Sequence, residues 1–77
     1  MNSERRKKLQ KQIDKLNEIK EAIEVITQEE QFAYDNMPEG LRESERGSNM
    51  YDNITDLENM LYDLSESSGQ IETIINR

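Results

Sequence analysis

A helical hairpin, two long amphipathic helices folded back on each other, is the fold expected of this 77-residue chain. Apolar residues recur at helical spacing through two long segments. The only proline and two of the three glycines fall between those segments, within residues 35–47. Hydrophobic residues make up 32% of the chain and charged residues 35%. That balance suits a rod or bundle whose helices each bury one stripe, rather than a compact globule. One all-α domain spanning 1–77 follows, with helix 1 at about 3–36, a hinge at 37–47 and helix 2 at about 48–76.

The first arm begins at Ser3, a candidate N-cap, with Glu4 in the favourable first turn. The basic run that follows sits badly at a helix N-terminus, so fraying is expected up to about Lys8. Leu9, Ile13, Leu16, Ile19, Ile23, Ile26 and Ala33 then form one stripe, with Val25 and Phe32 widening it. Asp14 and Glu18 stand at helical spacing from Lys11 and Lys15 on the outer face, where each pair is expected to add only about 0.2–0.5 kcal/mol. Glu30 stands where the next stripe residue belongs. The stripe is expected to drift there to Phe32 and Ala33, because an unpaired buried carboxylate is costly.

Pro38 cannot continue a helix and pushes Met37 out of the helical region. Pro38-Glu39-Gly40 suits a turn with glycine at a positive φ. Leu41 and Met37 are expected to plug the closed end of the hairpin. Two starts for the second helix are open, one capped by Ser44 and one by Ser48 or Asn49. Gly47 lies in phase with the second stripe and permits close approach near the hinge.

The string Asp35-Asn36-Met37-Pro38, followed by Ser44-Glu45-Arg46-Gly47 between two charged amphipathic helices, resembles a group of small uncharacterised proteins of phages and prophages of Gram-positive bacteria. The resemblance covers most of the layout and about a dozen residues of motif. It implies a phage-type origin, and it carries over no activity and no functional residue.

In the second arm Met50, Ile54, Leu57, Leu61, Leu64, Ser68, Ile71 and Ile75 step 4-3-4-3-4-3-4, a heptad seam with one polar member. Ser67-Ser68-Gly69 is its weak point. The phase resumes at Ile71, so one continuous helix is expected. Met60 and Ile74 flank the seam.

Two helices bury only the strip between them, and chains this short rarely stand alone without disulfides, a metal or oligomerisation. The chain has no cysteine and no histidine. A homodimer forming a four-helix bundle is therefore expected, joined through the seam residues of both arms. Charge sets its orientation. Residues 1–20 hold seven basic against three acidic residues, a balance of +4; residues 21–77 hold three arginines against fourteen acids, a balance of −11. An antiparallel dimer brings each acidic hinge end near the partner's basic end.

The composition argues against an enzyme. There is no phosphate loop, EF-hand or nucleophile motif, and no cofactor or metal is expected. Glu18, Glu21 and Glu24 share a helix face with Glu29 and Glu30 just beyond, an arrangement known from all-α nucleotide pyrophosphohydrolases that bind Mg²⁺. A second acidic motif at convincing spacing is missing, so these acids read as a solvated face. Arg5, Arg6, Lys7, Lys8, Lys11, Lys15 and Lys20 offer one short basic patch without aromatic residues; nucleic-acid binding is the competing class, disfavoured by the net charge of −7. The expected function is a small non-enzymatic interaction module. Given the resemblance, it is expected to modulate or inhibit a host protein, its sharpest form an acidic mimic acting on a defence or nucleic-acid-handling protein. Its candidate partner surface is Glu39, Glu43, Glu45, Asp52 and Asp56. No membrane span is expected, and the expected location is the cytoplasm, that of the host cell if the chain is phage-encoded.

Overall fold

The computed structural model describes all residues, Met1–Arg77, and contains helices and no strand. Helix α1 spans Ser3–Asp35, α2 is the single turn Glu39–Arg42, and α3 spans Glu45–Ile75. The helix pair forms a rod of 58 × 15 × 13 Å.

Asn2, not Ser3, caps α1: its side-chain oxygen accepts from the Arg5 amide at 2.9 Å. Asn2 holds the extended backbone that a cap requires, whereas Ser3 is already helical. The cap satisfies one free amide, and the helix runs through the basic stretch without a break. Asn36 ends it, donating its side-chain amide to the Phe32 carbonyl at 2.7 Å.

The hinge is built differently from the expected turn. No glycine takes a positive φ. Pro38 sits instead at the N-cap of α2, and its carbonyl accepts from the Leu41 and Arg42 amides at 2.9 and 3.1 Å. One turn of helix, whose start tolerates proline, thus reverses the chain. Of the two possible starts for α3, the earlier is used: the Ser44 side chain accepts from the Gly47 amide at 3.4 Å, and the helix begins at Glu45 rather than near residue 48. Gly47 then packs against the hinge. A Cβ there would lie within 3.0 Å of Arg42 backbone atoms, so only glycine fits. From there α3 continues unbroken through Ser67-Ser68-Gly69 to Ile75.

Two contacts set the register of the arms. Ser68 Oγ donates to Asn17 Oδ1 at 3.4 Å, and the Tyr34 and Tyr51 rings lie 6.1 Å apart. In both pairs the residue numbers total 85, so residue i of α1 lies level with residue 85 − i of α3. The two seams follow a strict heptad. In α3 the a positions are 47, 54, 61, 68 and 75, and the d positions 50, 57, 64 and 71. Every one of them is buried or half-buried, as the second stripe predicts.

The first arm departs from its predicted stripe. Its inward positions are Arg6, Leu9, Ile13, Leu16, Lys20, Ile23, Thr27, Glu30, Tyr34 and Met37, in 3-4 alternation. Ile19 and Ile26 are 53% and 54% exposed, and Ala33 is exposed as well. The reason is phase. Leu16 to Ile19 is a second consecutive step of three, whereas packing against the heptad of α3 requires a step of four, which lands on Lys20. Ile26 gives way to Thr27 in the same manner. Drift to Phe32 does not occur either: Phe32 is 72% exposed, while Glu30 stays on the seam, half-buried.

Candidate interaction surface

The hairpin has two unlike sides. One carries the a positions and the flanking e positions of both arms. The other carries the d positions and the flanking g positions. This division follows from antiparallel packing, in which e flanks e and g flanks g. All five buried residues, Ile13, Thr27, Gly47, Ile54 and Ser68, occupy a positions. The apolar d residues Leu9, Leu16, Ile23, Met50, Leu57, Leu64 and Ile71 are only half-buried.

The flanks sharpen the difference. On the a/e side the exposed flank is polar apart from Tyr51, with Gln10, Glu24, Glu58, Ser65 and Glu72. The Asn17–Ser68 hydrogen bond and the tilted Tyr34–Tyr51 pair lie on this side. On the d/g side the flank carries Ile19, Ile26 and Ala33 from α1 and Met60 and Ile74 from α3, interspersed with the polar Gln12, Asn53 and Ser67, all exposed. Both shallow depressions of the surface open here. One is lined by Met1, Arg5, Lys8, Leu9 and Gln12, the other by Glu30, Asn53, Asp56, Leu57 and Met60. Helical spacing brought the residues of this face together, but a single-helix reading of α1 cannot separate the seam from the flank. Only the phase of α3 does so.

At the hinge, Glu39, Glu43, Glu45, Asp52 and Asp56 are all exposed. The first three cluster around α2 and the start of α3; Asp52 and Asp56 lie further along α3, Asp56 on the rim of the second depression. Leu41 does not plug the closed end. It is 49% exposed, and Arg42 takes the closing role. Its Nε and Nη2 donate to the Met37 and Asp35 carbonyls at 3.1 and 3.2 Å, and its guanidinium stands 5.9 Å from the Tyr34 ring centroid. Arg42 thus ties the end of α1 to the hinge. A lone arginine between glutamates gives no sequence signal of such a role.

The basic patch is thinner than the sequence suggests. Arg5, Lys7, Lys8, Lys11 and Lys15 are exposed, but Arg6 and Lys20 are drawn to the seam. Arg6 is half-buried, with its Nε enclosed and unpartnered. No three acidic side chains come together in a way that could hold a metal ion. No helix is long and apolar enough to cross a membrane. No family model matches the chain, and neither a curated protein nor a solved structure is significantly similar to it.

Proposed function

We propose that this protein is a non-enzymatic interaction module: a helical hairpin that self-associates as a four-helix bundle and engages a second protein through its remaining surface. The observation that supports this is the unequal burial of the apolar residues. Only Ile13 and Ile54 among the large hydrophobics are fully enclosed, while Ile19, Ile26, Met60 and Ile74 share one open face. Monomeric proteins seldom expose a contiguous apolar surface of this kind without a partner.

The phage-type resemblance of the hinge motif supports the narrower form, a modulator or inhibitor of a host protein acting in the cytoplasm. Its contact surface is the acidic hinge, Glu39, Glu43 and Glu45, with Asp52 and Asp56. A dense set of exposed carboxylates favours a basic partner and speeds its encounter. The test is capture of host proteins on the immobilised wild type beside a variant carrying Glu39→Lys, Glu43→Lys and Glu45→Lys. A partner retained by the wild type and lost from the variant supports the reading. A partner retained equally by both places the contact elsewhere. Capture of no protein, together with salt-sensitive retardation of DNA or RNA in a gel, would favour the basic first arm as the working surface.

A further inference from the structure

We infer that the d/g side of the hairpin is the surface covered by a second copy, and that the two copies stack with α1 against α1 and the hinges at opposite ends. The inference rests on the self-association proposed above; it adds the face and the pairing, and gives the antiparallel direction expected from charge its contacts.

The face follows from burial. Every fully buried residue lies on the a/e side, where Ile13, Thr27, Gly47, Ile54 and Ser68 are enclosed and the remaining a positions half-buried, whereas no d position is fully buried. On the d/g side a half-buried row of leucines and isoleucines runs between Ile19 and Ile26 on one arm and Met60 and Ile74 on the other. In the register of the arms Ile26 and Met60 are nearly level, which makes the apolar surface continuous across both helices. Its footprint, taken from the 58 and 15 Å dimensions, is about 870 Å² per copy. Two such outlines total at most about 1,700 Å², an upper bound that reaches the size of a standard stable interface. The polar a/e flank offers no comparable surface.

The direction follows from the charges that border the face. If the hinges lay at the same end, α1 would stack on the partner's α3. The level positions would then set Glu29 against Asp56 and Lys8 against Arg77, each twice, all like-charged. With the hinges at opposite ends, α1 stacks on the partner's α1 about a twofold axis near residues 22 and 23. Ile19 then meets Ile26 of the other copy, and Lys15 meets Glu29, each twice. The small Ala22 sits at the axis and permits close approach. On the α3 layer Asp63 approaches its own copy once, at the solvated rim. The exposed pairs are individually weak, but they distinguish one direction from the other. The ends agree, since the acidic hinge then lies beside the basic start of α1.

Two measurements test this. The first is mass by light scattering at about 100 µM, where a stable dimer of this interface size is expected to persist. The wild type should scatter as twice 9.1 kDa. The Ile19→Lys/Ile26→Lys variant should fall to the single-chain mass, while Tyr62→Lys, on an exposed position away from the face, should not. The second is the distance between spin labels attached at Glu39→Cys. With 1.5 Å per residue on either side of the axis, the opposed hinges are expected about 45 Å apart. A wild-type mass of one chain overturns the second copy itself. A dimer broken by Tyr62→Lys but not by the isoleucine pair overturns the face. A label distance of about 20 Å or less overturns the direction alone. None of these results depends on whether a host protein binds the acidic hinge.

Discussion

The two long helices are nearly equal in length but use their apolar residues differently. In α3 the seam holds Ile54, Leu57, Leu61, Leu64, Ile71 and Ile75, broken only by Ser68 beyond Gly47. In α1 the seam admits Arg6, Lys20, Thr27, Glu30 and Tyr34, while two isoleucines stand outside it. The hairpin alone does not explain this, because exchanging Lys20 with Ile19 would serve a lone hairpin better. α3 keeps most of its aliphatic residues on the seam, with Met60 and Ile74 beside it, whereas α1 leaves Ile19, Val25 and Ile26 outside.

The comparison breaks most readily at its deepest point. Ile13→Ala empties the most enclosed side chain, 1% exposed, and should cost about 3 kcal/mol. The same change at Ile19 should cost under ~0.5 kcal/mol where the hairpin is alone, and more as protein concentration rises and association protects the side chain. Urea melts of both variants at about 1 µM and about 100 µM check this; equal losses at the two sites under dilute conditions would mean that Ile19 belongs to the hairpin seam after all.

Next in size is the hinge, where α3 depends on a bare backbone. Gly47→Ala places a methyl group against the Arg42 main chain and should cost about 2–3 kcal/mol despite the better helix propensity of alanine. Gly69→Ala meets open space in the same helix and should stabilise by about 0.5–1 kcal/mol. Thermal melting of the pair should move in opposite directions, and a rise for both would contradict the hinge packing.

The smallest effect should come from making α1 resemble α3. Thr27 is buried, and its hydroxyl is satisfied only by the Ile23 carbonyl of its own helix at 2.8 Å. Thr27→Val keeps the shape and removes a buried polar group, and should stabilise the hairpin by about 0.5 kcal/mol. A clear loss in the melting temperature would indicate that the hydroxyl has a second partner in solution.

Much of the fold is legible in the sequence because proline and heptad spacing act locally. Pro38 stops α1 whatever surrounds it, and the 4-3 steps of α3 need no knowledge of the first arm. The seam of α1 is a different matter. Its stripe from Leu9 to Leu16 suits two continuations, through Ile19 or through Lys20, and hydrophobicity favours the wrong one. The choice is made by the partner helix, which lies about 50 residues away in the chain at that level. The closing role of Arg42 is hidden for a related reason: its acceptors are backbone carbonyls, which every residue possesses. The density of acids around the hinge is legible in the sequence, but the sequence does not say which of those carboxylates share a face.

The register set by Tyr34–Tyr51 and Asn17–Ser68 also dictates an order of assembly. The tyrosine pair joins residues 17 apart in the chain, the asparagine–serine pair residues 51 apart. Closing the longer loop first carries an extra entropic cost of about 1 kcal/mol. The arms are therefore expected to zip from the hinge outward, each closed layer shortening the loop for the next. Amide exchange should be slowest near Ile54 and accelerate towards both chain ends, and a reversed gradient would argue against zipping from the hinge.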